Sequence, residues 1–193
     1  MKYIIMADGK GLRWGNFTDR PKHLIEINGS TLLERLTNQI LSVDASAEII
    51  ITARDERYEV LGAVRHVPLN NENEIDRFTE ELIENNVCFL YGDTYYTDAA
   101  VEKIINTNGN HLLFFGNHRR IVAVKVFDGL YLKKHLNKIK KISPNGKGWD
   151  VYQSHSGLQR NAIGQDYVLI ENGVQDFNTP QDYLDFVAAG HTD

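Results

Sequence analysis

The apolar run Tyr3-Ile4-Ile5-Met6 opens directly into Ala7-Asp8-Gly9-Lys10-Gly11-Leu12-Arg13, and Arg20-Pro21-Lys22 follows a few residues later. No other stretch constrains the fold as strongly. A short strand ending in a two-glycine turn puts backbone N–H groups at the rim of a sheet. Glycine tolerates φ > 0 and has no Cβ, so those groups can turn inward and approach an anion closely. Lys10, Arg13 and Lys22 add countercharge. The stretch predicts a loop built to hold phosphates at the edge of an α/β sheet.

Two familiar phosphate loops do not fit it. The dinucleotide fingerprint requires G-x-G-x-x-G, but Gly9, Gly11 and Gly15 are spaced G-x-G-x-x-x-G, with Trp14 where the third glycine belongs. A Walker loop requires Gly-Lys followed by Ser or Thr, and Gly146-Lys147 is followed by Gly148.

Along the rest of the chain, apolar runs alternate with helical patterns, the mark of a mainly parallel sheet flanked by helices. Strands are predicted at Tyr3–Met6, Glu48–Thr52, His66–Leu69, Val87–Tyr91, His111–Phe115, Ile121–Val126 and Tyr167–Ile170. A short extended piece over Leu24–Ile27 should end at the Asn28-Gly29 turn. Helices are predicted after Thr31, which forms a capping box with Glu34, within Arg54–Gly62, and over Ile75–Leu82. Others should follow Thr97 or Asp98, cover Tyr131–Lys141, and start at Trp149 after a flexible loop, Pro144–Gly148. The last helix is the best marked: Thr179 caps it, Pro180 fits the first helical position, and Gly190 ends it.

At 193 residues the chain fits one domain, 1–193, that can bury a core without metal or disulfide staples. No apolar run approaches the ~20 residues of a membrane helix, and no secretory leader is evident, so a cytoplasmic protein is expected. A net charge of −5 argues against nucleic acid as the main partner. The lysines from Lys133 to Lys147 read mainly as a solvated face. Cys88 lies in the apolar run Val87–Leu90 and reads as a buried hydrophobe, not a nucleophile.

Two further stretches complete the chemistry. Leu90-Tyr91-Gly92-Asp93 places a carboxylate just past a central strand, where open parallel sheets bind ligands. Asp176-Phe177-Asn178-Thr179-Pro180-Gln181-Asp182 sets acid and amide groups ahead of the last helix. Together with the first loop, and in this order, they resemble the nucleotidyltransferases of the sugar-phosphate type, whose signature runs Ala-Ala-Gly-x-Gly-x-Arg, then Pro-Lys, then these two motifs. The resemblance implies a single Rossmann-like (GT-A-like) α/β domain. It also implies transfer of a nucleoside monophosphate from a triphosphate to a phosphorylated sugar or alcohol, with release of pyrophosphate, as in surface-glycan precursor synthesis. On it, Arg13 and Lys22 are catalytic, Gly9 to Gly11 cradle the phosphates with Lys10 assisting, and Mg²⁺ sits on Asp93 with either Asp176 or Asn178. A molybdenum-cofactor guanylyltransferase and a nucleotide-binding regulator with a decayed site are the alternatives.

Asp8 departs from that signature, which has a small residue there. A carboxylate beside a triphosphate needs a donor, and a base amino group, Mg²⁺ or Arg13 could each supply one. The base option favours cytosine or guanine, hence CTP or GTP. The base should lie against Ala7, Asp8 and the polar loop from Asn70 to Asp76. Arg119, Arg120, Lys147, Trp149 and Asp150 are the candidates for holding the phosphorylated acceptor, an arginine fork being suited to a phosphate. The histidines show no zinc-binding spacing.

Overall fold

The computed structural model describes residues 1–15, 17–143, 145–159 and 162–190. Pro144, which opens the predicted loop, and His191 lie outside the described residues. The chain begins with strand β1 (Lys2–Met6), a hairpin of β2 (Glu26–Ile27) and β3 (Ser30–Thr31), and helix α1 (Leu32–Val43). Next come β4 (Glu48–Thr52), β5 (Val64–His66), β6 (Val87–Tyr91), β7 (Thr94–Tyr96) and α2 (Asp98–Asn106). The second half holds β8 (Leu112–Gly116), β9 (Ile121–Val126), α3 (Gly129–Ile142), α4 (Gly148–Ser156), β10 (Tyr167–Leu169), β11 (Val174–Asp176) and α5 (Pro180–Ala188).

Seven strands form one sheet in the order β10-β8-β9-β6-β1-β4-β5. β1 runs parallel to β4 on one side and β6 on the other, while β9 is antiparallel to both β6 and β8. The predicted α/β class with an open, mixed and mainly parallel sheet is therefore the observed one. β1 shows why its residues are apolar throughout. Tyr3 and Ile5 pack into a core shared with α1 and α2, whereas Ile4 and Met6 pack into a second core shared with α3 and α4. A strand covered on both faces has no solvent side to be polar on. Cys88 on β6 is wholly buried, and burial pushes its thiol up to about 12.

The local signals behave as written. Thr31 Oγ1 accepts from the Glu34 N–H at 3.2 Å while Glu34 accepts from the Thr31 N–H at 2.8 Å, so α1 starts on a full capping box. Thr179 and Asp182 do the same for α5, with bonds of 3.3 and 2.7 Å. Asn28 and Gly29 both take positive φ, 56° and 78°, which matches the twist of the β2–β3 hairpin.

Three elements differ from expectation. Residues 54–62 yield only a single 3₁₀ turn, Glu56–Tyr58, capped by Asp55. The strand expected at His66–Leu69 lies earlier, at Val64–His66, because its pairing with β4 runs Ile50 to Val64 and Pro68 has no N–H to offer a ladder. The helix expected over Ile75–Leu82 is two 3₁₀ turns, Glu74–Arg77 and Glu80–Leu82. Ile75 and Phe78 are buried three residues apart, a spacing that one turn of either helix satisfies. The short antiparallel pair of β7 and β11 has no counterpart in the sequence pattern.

Candidate active site

β1 is the strand from which the chain departs to either side, and its carboxyl end is the switch point where open sheets bind ligands. The glycine loop lies there. Gly11 and Gly15 take φ of 58° and 64°, so the loop turns twice in the left-handed region instead of running into a helix. Trp14 anchors it: the indole is buried, donates to the Arg20 carbonyl at 2.9 Å, and packs edge-on against Phe17 and against Tyr183 of α5. The tryptophan that breaks the dinucleotide fingerprint thus fixes the loop against the end of the chain.

The β7–β11 pair brings the other two motifs together. Thr94 lies opposite Asp176, and the Phe177 N–H donates to the Asp93 carbonyl at 2.9 Å. Charge ties both motifs to the loop and its surroundings. The Lys22 ammonium is ion-paired with the Asp93 carboxylate, both nearly inaccessible to water. Arg13 donates to Asn178 Oδ1 at 2.9 Å, the Asn178 amide donates to Asp176, and Asp176 is ion-paired with Arg120. Burial alone would raise the Asp93 pKa, but the Lys22 ammonium, its hydrogen bond and the charge of Arg77 together hold it below the usual carboxylate range.

Three adjoining cavities follow from this layout. One, about 360 Å³, is walled by Ala7 to Gly11 with Lys22, His23, Arg54 and Tyr58. The second, about 320 Å³, takes in Asp93, Arg119, Arg120, Trp149, Asp176 and Asn178. A third of about 280 Å³ shares residues with both and is walled by Lys10, Arg13, Lys22, Arg77 and Lys147. The cleft therefore has a cationic middle between two pockets. Among the described residues no group of three or more His, Cys, Asp or Glu forms a metal cage. Asp93 and Asp176 on one cavity still fit Mg²⁺, which is typically bound by one or two carboxylates plus phosphate oxygens.

Of the residues nominated from sequence, Ala7, Asp8, Gly9, Lys10 and Gly11 line the first pocket, and Arg119, Arg120, Lys147 and Trp149 line the second. Trp149 is held by stacking on Tyr167 and by donation to the Arg119 carbonyl at 3.2 Å. Asp150 does not join them: its carboxylate accepts from the Lys147 N–H at 2.6 Å and caps α4. Asp76 is turned away too, accepting from the Asn73 N–H at 2.9 Å and pairing with Lys140 of α3 at 3.1 Å. Asn70 is exposed and its side chain accepts from the Glu72 N–H at 3.3 Å, so neither Asn70 nor Asp76 lines the base pocket.

The donor that answers Asp8 was not among those expected. Arg54 pairs with its carboxylate at 2.8 Å and Asn71 donates to the same oxygen at 2.7 Å, so two side chains of the protein answer the Asp8 charge, and neither of them is Arg13. Arg54, Asn71 and Arg77 carry no motif, and only their proximity in the fold singles them out.

His23 forms the floor of the first pocket beside Lys22. It is wholly buried against Tyr58, with Nδ1 3.1 Å from the phenol oxygen, and burial pushes its imidazole down to about 3. The folded protein keeps His23 neutral while the unfolded chain protonates it near pH 6.5. Its contribution is thus full above about pH 6.5 and is lost as pH falls toward its folded value, at no more than about 1.4 kcal/mol per pH unit. Urea unfolding at pH 7, 5.5 and 4.5 should show stability falling across this range, and His23→Phe should flatten the fall. An equal slope in the variant would assign the pH dependence to other groups.

Protein-family models gave no match to this sequence, and neither did curated proteins. Solved structures do match, over nearly their whole length. CTP:phosphocholine cytidylyltransferase from Streptococcus pneumoniae aligns over 97% of this chain and 98% of its own, with TM-score 0.62 and 17% identity. 4-Diphosphocytidyl-2C-methyl-D-erythritol synthase from Anaerococcus prevotii aligns over 98% and 97%, with TM-score 0.64 and 17% identity. The fold is that of the sugar-phosphate type of nucleotidyltransferase. A nucleoside-diphosphate-sugar pyrophosphorylase from Vibrio cholerae shares it as well, over 97% of this chain and 100% of its own, with TM-score 0.63 and 14% identity. At these identities the likeness speaks for the fold, and the chemistry rests on the cleft itself.

Proposed function

We propose that this single domain is a nucleotidyltransferase that moves a nucleoside monophosphate from a triphosphate onto the phosphate of a small sugar or alcohol. One observation carries the proposal. Three motifs far apart in sequence are joined side chain to side chain around one cationic cleft, Lys22 to Asp93 and Arg13 to Asn178.

In this reading the base occupies the pocket of Ala7 and Asp8. The triphosphate lies across Gly9 to Gly11 with Lys10, and the acceptor fills the pocket of Arg119, Arg120, Lys147 and Trp149. An acceptor phosphate oxygen attacks the α-phosphorus, the bond from that phosphorus to the α,β-bridging oxygen breaks, and its electron pair leaves with pyrophosphate. No proton need move and no protein nucleophile is required. Arg13 and Lys22 hold the two anions in line and oppose the charge that gathers between them. Asp93 and Asp176 would hold Mg²⁺, which supplies further neutralisation of the phosphates when bound. Asp176 is preferred to Asn178 because Mg²⁺ is typically bound by charged carboxylates together with phosphate oxygens.

Pyrophosphate release in a panel of the four triphosphates with phosphorylated sugars and alcohols tests this. CTP with phosphocholine is the first pair to try, since the pneumococcal relative of matching length is named for it. Release with no combination, at millimolar Mg²⁺, would refute the proposal. Run with Asp8→Ala, the same panel examines the base pocket. Loss of Asp8 frees Arg54 from the pocket wall, so the preference among triphosphates should relax by about tenfold, the scale of one charged hydrogen bond, with Mg²⁺ dependence unchanged. Equal slowing with all four triphosphates would place Asp8 with the phosphates instead.

A further inference from the structure

The cations of the cleft are nearly all answered by the protein. Lys22 has Asp93, Arg120 has Asp176, Arg54 has Asp8, and Lys147 has Glu74 at 3.7 Å. Arg77 differs. Among the described residues its guanidinium makes no hydrogen bond and no ion pair, although the residue is half-buried. Its plane lies against the glycine loop: a Cβ on Gly9 would sit 3.0 Å from Nη2 and 3.3 Å from Cζ. Arg77 also faces the Asp93 cavity and the cationic cavity between the two pockets.

This position is built, not incidental. Ile75 and Phe78 on either side are buried, Phe78 edge-on against Phe89 of β6. Asp76, next in sequence, locks the turn to Asn73 and to Lys140 of α3. The carboxylate that sequence reasoning assigned to the nucleotide therefore serves to hold its neighbour in place. Five N–H donors fixed in a half-buried cleft with no acceptor form a fork suited to phosphate oxygens.

We propose that Arg77 is a phosphate ligand of the reaction, reaching the triphosphate from beside Gly9 and contacting the phosphates on which the two pockets converge. This rests on the nucleotidyltransferase reading, and its consequences separate from that reading. Loss of the guanidinium removes donors to the charge that develops as the bond to pyrophosphate breaks. Arg77→Gln should lower kcat/KM by about two orders of magnitude, the scale of one preorganised donor. Arg77→Lys, which keeps the charge and loses the fork, should restore part of it.

The test pairs that activity with a probe that needs no turnover, the binding of inorganic pyrophosphate by titration calorimetry. The wild type, Arg77→Gln, Arg77→Lys and the exposed-surface control Lys138→Gln are compared. Arg77→Gln should bind pyrophosphate about tenfold more weakly and the control should match the wild type. Because the Arg77 guanidinium makes no hydrogen bond or ion pair among the described residues, the urea midpoint should not move, and a large shift would mean that the residue is structural. Pyrophosphate affinity or kcat/KM within about threefold of wild type in Arg77→Gln would overturn the proposal. Should the wild type turn over no triphosphate, the nucleotidyltransferase reading falls, and the pyrophosphate titration alone decides whether Arg77 is an anion ligand.

Discussion

Replacing Asp93 with alanine is expected to destabilise the fold by about 3–5 kcal/mol, and Lys22→Ala by a similar amount, because each leaves the other charge buried without a partner. The two side chains are only 7% and 8% exposed, so water cannot take over from the missing partner. Replacing both together, as Lys22→Met with Asp93→Leu, removes both charges and should recover most of that loss. Turnover should stay at least about two orders of magnitude down in all three variants, since on the proposed reading each loses the phosphate contact, the metal ligand or both. Urea unfolding and pyrophosphate release on the same samples would separate these effects. Wild-type stability in Asp93→Ala would mean that the pair opens to water, and wild-type turnover in the double variant would remove both residues from the chemistry.

That pair also marks a limit of the sequence as a guide. Asp93 could be placed at the sheet edge from the apolar strand before it, which made it a metal ligand and nothing more. Its second role, as one half of a buried ion pair, depends on a lysine 71 positions away. The parts that could be read in advance are those whose physics is local. A glycine pair after a strand, a Thr-x-x-Glu box and a Pro after a Thr each define their structure within a few residues. The β7–β11 pair was not legible, because two three-residue strands carry no alternation and meet only across the whole second half of the chain. Arg54 and Asn71 were missed as partners of Asp8, lying 46 and 63 positions from it. Adjacent Asn70 and Asn71 are chemically identical in the sequence, and only the turn decides which one points inward.

The pattern of pairing gives the cleft a common logic. Most of its cations are held by carboxylates, an amide or a carbonyl of the protein, so phosphates entering it would compete for groups already in position. Little reorganisation is then left for the reaction itself, which is the condition under which fixed charges act most strongly on a transition state. Arg13 is exposed, and among the described residues its guanidinium is tied by the bond to Asn178.

Arg13→Ala should therefore show the opposite balance to the Lys22 and Asp93 variants. Its bond to Asn178 is solvent-exposed, so stability should fall by less than about 1.5 kcal/mol, the upper range for an ordinary hydrogen bond. Turnover should fall by about two orders of magnitude, because on the proposed reading the guanidinium opposes the charge that develops between donor and acceptor phosphates. Arg13→Lys should lie between, keeping charge but losing the planar fork. Asn178→Ala provides the internal comparison. It removes the acceptor that orients Arg13 while leaving the guanidinium in the cleft, so its loss of turnover should be smaller than that of Arg13→Ala. Steady-state kinetics of the three variants decide the matter. A loss under about fivefold in Arg13→Ala would return the residue to the solvated surface, and an equal loss in Asn178→Ala would mean that Arg13 acts by holding the last motif in place.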